Sequence, residues 1–162
     1  MSEYTTVMGS LQKYEKGRLS IIDDLPKRYC HSNVFDVASR AKAYEKTAVA
    51  RNLEYVIETL RAEGESPWYA AVHDEFVVVL DGRVTVSFCE LGGPLPTKDG
   101  TQRLAKEPAG RRMGRIHLGR GHQALLPKNV AYRFSAPAPS VMIQQTLAGE
   151  LTVQKWAEIC SR

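Results

Sequence analysis

Short apolar or alternating runs, separated by turn signals, occupy most of the chain from residue 67 to residue 149. The runs read WYAAV, EFVVVLDG, RVTVSFCEL, GRIHL, HQALLP, VAYRFSA and SVMIQQTLA. A period of two is typical of strands that bury one face, and the Asp-Gly pair at residues 81–82 predicts a hairpin between two of them. Several short strands at near-regular spacing predict a mainly β protein, either a sandwich or a barrel.

Residues 1–46 predict an N-terminal arm and a short helix. In the arm, the apolar run at residues 19–22 predicts a short strand that ends at an Asp-Asp-Leu-Pro turn. A helix is predicted to begin at Ser32 or Asn33, because apolar residues then recur at helical spacing. These residues are Val34, Val37, Ala38 and Ala41.

The predicted β domain spans residues 47–149. Its first segment, residues 47–63, suits a helix or a strand: its apolar residues fit a helical face, while its β-branched and aromatic content favours a strand. A long loop is predicted at residues 91–114, which hold five basic and two acidic residues, five glycines and three prolines. This loop is expected to be solvated or to face a partner.

A C-terminal helix is predicted over residues 150–162. Thr152 is its expected cap, and Val153, Trp156 and Cys160 fall on one face. The arm and this helix, with Trp156 on its apolar face, provide more surface than one small β domain needs to cover itself. We therefore expect the working protein to be an oligomer.

Composition excludes several classes of protein. The 162 residues are 43% hydrophobic and 25% charged, which predicts one globular domain rather than a disordered or repeat architecture. The cysteines, Cys30, Cys89 and Cys160, are odd in number and far apart, which argues against a disulfide framework, and Cys30 is expected to pack in the interior. The net charge of +4 is small and dispersed. With no apolar segment of membrane-spanning length, we expect a cytoplasmic protein that binds neither nucleic acid nor membrane.

Glu75 is followed after six residues by Gly82, in the segment HDEFVVVLDG. This spacing resembles the second half of the first cupin motif, G-x5-H-x-H-x(3,4)-E-x6-G, whose histidines and glutamate bind a metal. The histidines of that motif would fall within residues 68–71, where this sequence has Trp-Tyr-Ala-Ala. The predicted fold is therefore a cupin-type jelly roll without the two imidazoles of its first motif.

The second cupin motif, G-x5-P-x-G-x2-H-x3-N, is also matched in spacing. Gly121 and Pro127 agree with it, whereas Asn129 replaces the glycine and Tyr132 replaces the histidine. Borderline divalent metals need several imidazole or carboxylate ligands that converge on one point. Because Glu75 alone survives, we expect that this chain has lost its metal site and holds no metal ligand.

Four residues are candidates for a polar pocket that remains from that site: Tyr69, His73, Glu75 and Tyr132. His73 precedes Glu75 by two residues, so on a strand both side chains would point to the same face. The four residues then form either a working acid/base or ligand pocket or a hydrogen-bonded remnant in the interior.

Three segments extend the resemblance over nearly the whole chain: EYTTVMGSLQKYEKGRL, SPWYAAVHDEFVVVLDG and PAGRRMGRIHLGRGHQALLPKNVAYRF. Together they resemble the small subunit of the two-component hydroquinone dioxygenases of bacterial para-nitrophenol and hydroxyacetophenone degradation. The resemblance implies a metal-free cupin subunit that pairs, as a hetero-tetramer, with a larger cupin subunit holding Fe(II). The complex would open hydroquinone with O2 to 4-hydroxymuconic semialdehyde, and the isolated chain would be inactive.

This resemblance implies a supporting role at the partner's iron site, with no catalytic residue in this chain. Trp68 is the candidate for an aromatic rim that contacts the phenolic substrate and excludes water, although it also suits a place in the barrel core. Thr5 or Thr6, in an extended arm, is a candidate for a hydroxyl that reaches the partner's pocket, although the arm also fits a loosely ordered terminus.

Two other functions are compatible with the same residues. One is a metal-free isomerase or lyase in which Tyr132, His73 and Glu75 act as acid/base groups. The other is a cupin that binds a small molecule in its barrel without turnover. Activity of the isolated chain in chelator favours the first, and a bound ligand without turnover favours the second.

Overall fold

A computed structural model describes residues 9–25 and 28–160, which form a curled β-sheet with two short helices. The helices are α1 (Val34–Arg40) and α2 (Trp156–Ile159). The strands are β1 (Lys46–Asn52), β2 (Tyr55–Glu65), β3 (Tyr69–Ala70), β4 (Glu75–Asp81), β5 (Arg83–Glu90), β6 (Gln102–Arg103), β7 (Arg112–Gly119), β8 (Gln123–Leu126), β9 (Val130–Leu147) and β10 (Thr152–Val153). Neither of the described helices has the length and apolar character needed to cross a membrane.

The longest strand, β9, is the central strand of this sheet and pairs with other strands along both of its edges. β2 and β3 pair antiparallel along one of its edges, and β4 and β5 pair antiparallel along the other. Residues 137–139 of β9, which include two prolines, pair with none of the described strands. Because proline cannot donate to a strand ladder, the sheet bends here into two halves.

The two halves enclose one hydrophobic core. One half has the order β10-β1-β2-β9-β4-β8, and the other has the order β6-β3-β9-β5-β7. Buried side chains from both halves pack together, which removes apolar surface from water and holds the halves face to face. Among them are Leu60, Val77, Val79, Leu126 and Met142 from the first half and Tyr69, Val84, Val86, Tyr132 and Phe134 from the second.

The predicted N-terminal helix is confirmed as α1. The Asn33 side-chain oxygen accepts hydrogen bonds from the backbone N–H groups of Phe35 and Asp36, at 2.9 and 3.3 Å. This cap satisfies two donors that have no partner within the helix. Val37 and Ala38 are buried, as the helical spacing predicts.

The strand pattern is confirmed in outline and corrected in connectivity. Residues 47–63, which suited either element, lie in β1 and β2. The predicted hairpin at residues 81–82 is wrong, because β4 and β5 each pair with β9 rather than with one another. Gly82 has φ +80° and lies too close to Ser140 for any side chain, so the chain turns a corner there along the bend of β9. The two runs predicted between residues 130 and 148 are one strand, β9.

The long loop, here defined as residues 91–111, connects β5 to β7. The prediction placed its end at residue 114, but β7 begins at Arg112. The loop contains β6, which pairs with β3.

Two predictions for the ends of the chain are wrong. Residues 19–22 form no strand, and Ile22 is fully exposed instead of paired. Cys30 does not pack in the interior: it is exposed and forms a disulfide with Cys160, 130 residues away in the sequence. The disulfide joins the segment before α1 to the residue that follows α2.

The C-terminal helix is confirmed but is shorter than predicted. Thr152 belongs to β10, which pairs with β1 in parallel, and its hydroxyl donates to Glu58 at 2.7 Å instead of capping a helix. The helix α2 therefore begins only at Trp156, and Ile159 is its buried residue.

Candidate functional site

Glu75 lies at the first residue of β4, with its carboxylate in the interior and no solvent exposure. Its Oε1 accepts hydrogen bonds from the hydroxyls of Thr101, at 2.5 Å, and Thr146, at 2.6 Å. Its Oε2 accepts from the hydroxyl of Tyr132 at 2.5 Å. Three hydroxyl donors thus satisfy the one carboxylate that the cupin spacing preserves.

Gln144 extends these contacts toward a buried ion pair. Its Nε2 donates to the Tyr132 hydroxyl at 3.0 Å and to the Thr101 hydroxyl at 3.2 Å, and its Oε1 accepts from Lys46 Nζ at 2.6 Å. Lys46 Nζ lies 3.8 Å from Glu58 Oε2. All these side chains are at most 3% exposed. We call this set the buried polar network: Lys46, Glu58, Glu75, Thr101, Tyr132, Gln144 and Thr146.

Burial and neighbouring charges shift the pKa values of three of these groups. Burial lowers the pKa of Lys46, against the opposing attraction of Glu58 and Glu75. Burial raises the pKa of Glu58. Burial and the nearby Glu75 hold the pKa of Tyr132 well above its ordinary value. The phenol of Tyr132 therefore remains protonated and continues to donate to Glu75 at neutral pH.

Contacts join three of the four pocket candidates. Tyr69 is buried beside Tyr132, with their ring centroids 5.8 Å apart, and Tyr132 contacts Glu75. His73 precedes β4, so the strand alternation from which a face shared with Glu75 was predicted does not extend to it. Its Nδ1 lies 3.1 Å from the backbone oxygen of Asp74.

The residues at this position do not fit a metal centre. The hydroxyls of Thr101, Thr146 and Tyr132 occupy both oxygens of Glu75, and a hydroxyl is a poor substitute for the imidazoles that borderline metals prefer. Within residues 9–25 and 28–160, no group of three or more His, Cys, Asp or Glu side chains is arranged to hold an ion.

Trp68 lies on the outer face of the sheet. It packs against a small cluster formed by Ala70, Cys89, Leu91 and Ala131. The guanidinium of Arg133 lies over its ring, 4.8 Å from the centroid. The ring also lines a pocket of about 120 Å³ together with Ser87, Phe88, Arg112, Gly114 and Arg115. Thr5 and Thr6 lie outside the described residues.

Among solved structures, hydroquinone 1,2-dioxygenase PnpCD in complex with Cd2+ and 4-hydroxybenzonitrile contains a chain 49% identical to this one. The match covers 100% of this chain and 99% of that chain, with a TM-score of 0.94. Hydroquinone 1,2-dioxygenase from Sphingomonas sp. TTNP3 with 4-hydroxybenzoate bound contains a chain 48% identical, with 98% of each chain covered and a TM-score of 0.93. This chain belongs to the hydroquinone 1,2-dioxygenase family.

More distant matches concern the fold of this family member. A cupin-2 domain protein from Shewanella frigidimarina NCIMB 400 is 17% identical, with a TM-score of 0.50, over 70% of this chain and 89% of that chain. PnpCD in complex with Fe3+ contains a longer chain that is 9% identical: the match covers 83% of this chain but 37% of that chain, with a TM-score of 0.66. The predicted cupin-type, mainly β fold is thereby confirmed. No family model and no curated protein matches the sequence.

Sequence reasoning missed much of the network. Lys46, Glu58 and Thr101 come from three separate segments, and no motif spacing links them to Glu75. Gln144 and Thr146 did carry a signal, because they alternate with Met142 on the inner face of β9.

Proposed function

We propose that this chain is the non-catalytic small subunit of an Fe(II)-dependent, hetero-oligomeric hydroquinone ring-cleaving dioxygenase, in which residues 1–162 act as one cupin domain. The observation that carries the proposal is the chemistry around Glu75. The position at which cupins bind a metal is filled by hydroxyl donors, although the chain matches end to end a chain of PnpCD, a dioxygenase that is also seen in complex with Fe3+.

The proposed partner is a larger cupin subunit that holds the iron. PnpCD contains a longer chain with a cupin-like part, as well as the chain that matches this one throughout. A division of labour follows in which the larger subunit supplies the metal ligands and this chain supplies none. A hetero-tetramer is the assembly that we propose.

The proposed contribution of this chain is an apolar surface that excludes water beside the phenolic substrate. Trp68 has the geometry for this role, because its ring lies at the surface of the sheet and Arg133 and the neighbouring cluster fix its orientation. An indole presents a large apolar face to a phenol ring. Thr5 or Thr6 is proposed to add a hydroxyl from the arm.

The test is to measure iron in each chain after co-expression with the larger subunit. We expect the purified complex to contain iron and to cleave hydroquinone, and the isolated small chain to bind no stoichiometric metal and to be inactive. The matched control is Glu75→Gln, which removes the charge and keeps the shape. The complex with this variant should retain its full iron content, because Glu75 is not a ligand.

Two results would overturn the proposal. One tightly bound metal per small chain, lost in Glu75→Gln, would make this chain a metalloenzyme in its own right. Turnover by the isolated chain in the presence of chelator would instead identify a metal-free enzyme.

A further inference from the structure

The long loop leaves the sheet and returns to it at one place. At its base, the backbone N–H of Glu90 donates to the carbonyl of Arg111 at 2.9 Å, and that of Ala109 donates to the carbonyl of Leu91 at 3.2 Å. The residues between these ends form a loop whose two ends lie close together. The position of the loop therefore depends on the contacts at its far end.

The far end is anchored in the protein interior. Thr101 is 3% exposed and donates its hydroxyl to Glu75 Oε1 at 2.5 Å. Next to it, Gly100 lies against the backbone of Gly149 so closely that no side chain would fit. An ion pair between Lys98 and Glu150 also holds this end, but it is exposed, and exposed ion pairs contribute little. The Thr101 hydroxyl is thus the buried side-chain anchor of this end.

The same loop supports Trp68. Immediately after Thr101 the loop forms β6, which pairs with β3, and the backbone N–H of Leu104 donates to the carbonyl of Trp68 at 2.9 Å. Leu104 and Trp68 also pack against the same cluster on the outer face. A displacement of the loop end would therefore remove a backbone partner and a packing neighbour from Trp68.

We propose that Glu75 anchors the long loop through Thr101 and that this anchor positions Trp68. The carboxylate that retains the cupin spacing is then a positioning residue that holds a loop, not a metal ligand. The loop anchor stands on the geometry of this chain alone. Its consequence for catalysis rests on the proposed function, in which Trp68 borders the substrate.

The test uses the full chain, alone and in complex with the larger subunit, with the variant Thr101→Val. Its matched control is Thr146→Val: Thr146 is equally buried and donates to the same oxygen of Glu75, but it lies on β9. Hydrogen–deuterium exchange of residues 95–105 is the first measurement. Thr101→Val should accelerate exchange there by about tenfold to a hundredfold, the effect of a lost hydrogen bond to a charged group. Thr146→Val should leave exchange in the loop near the wild-type rate.

Thr101→Ser, which retains the hydroxyl, should restore protection of the loop. In the complex, Thr101→Val should also raise the KM for hydroquinone or lower kcat, with the iron content unchanged, whereas Thr146→Val should change neither constant. Equal exchange in the two valine variants would refute the anchor, whatever the activity. A loosened loop with unchanged kcat and KM would refute the link to Trp68. A wild-type complex that contains no iron or cleaves no hydroquinone would refute the proposed function, while the exchange data would still test the anchor.

Discussion

Replacing Tyr132 by Phe tests whether the buried polar network stabilises the fold. The change removes one hydroxyl from a side chain with no solvent exposure and leaves the ring in place. Glu75 Oε2 loses its donor, and Gln144 loses its closest acceptor for Nε2, since the bond to Tyr132 is 3.0 Å long. A hydrogen bond to a charged group contributes about 1.5–3 kcal/mol, so we expect a loss of about 2–3 kcal/mol in the free energy of unfolding.

For a domain of this size, that loss lowers Tm by about 4–12 °C. Urea unfolding followed by circular dichroism measures the free energy directly. The matched control is Tyr44→Phe: Tyr44 is also buried in the core, but its hydroxyl donates at 2.5 Å to an uncharged acceptor, the backbone carbonyl of Gly64. The control should lose about 1 kcal/mol.

The pH dependence provides a second check on Tyr132. A group whose folded-state pKa is raised contributes stability that is fully present below its unfolded-state pKa, 10.0 for a tyrosine, and loses it as pH rises through the folded-state value. The difference between wild type and Tyr132→Phe should therefore be constant from about pH 6 to about pH 9. A cost no larger than that of Tyr44→Phe, or one that disappears within this range, would refute the reasoning.

Three further predictions concern separate parts of the chain. In the complex, Trp68→Ala should lower ring-cleavage activity by about 10- to 100-fold with unchanged iron per chain, and wild-type kcat and KM would contradict this. Cys30→Ser should destabilise the chain by about 2–4 kcal/mol in urea unfolding, and reduced wild type should match it, because the bond to Cys160 closes a long loop of the unfolded chain. The hydrogen bond from Lys155 lowers the pKa of Glu45. The stability from that pair is present above the unfolded-state pKa and lost as pH falls through the folded-state value, so Lys155→Met should cost up to about 1 kcal/mol near pH 7 and progressively less as pH falls through that value.

Motif spacing was sufficient to locate the centre of the interior site. In a β-barrel, the number of residues between a turn and a strand position decides which side chains face inward, so Glu75 and Tyr132 were predictable although the histidine ligands are gone. Asn129 shows the same rule at a turn. Its φ of +59° is the left-handed conformation that the cupin glycine supplies, and Asn tolerates it better than most residues.

The rest of the network was not predictable in this way. A lysine or glutamate in a short strand is usually solvent-facing, and only the folded sheet brings Lys46 and Glu58 into contact. Gln144 alternates with Met142, but its connection to Tyr132 was not predictable, for another reason. The two prolines in residues 137–139 divide β9 into two apparent strands, so alternation cannot be counted across the bend from Tyr132. The disulfide was likewise not predictable, because sequence spacing does not show which distant cysteines lie close together in the fold.

The alternation of side chains along β3 determines the face of the sheet on which Trp68 lies. Trp68 became a candidate because it lies in the stretch that holds the first two cupin ligands, but only one face of that stretch points inward. Tyr69 belongs to the barrel core, whereas Ala70 packs on the outer face beside Trp68. Tyr69, not Trp68, therefore occupies the face from which a ligand would reach the metal. Under the proposed function, any contact that Trp68 makes with substrate must come from the outside of the barrel, at a surface that the larger subunit would complete.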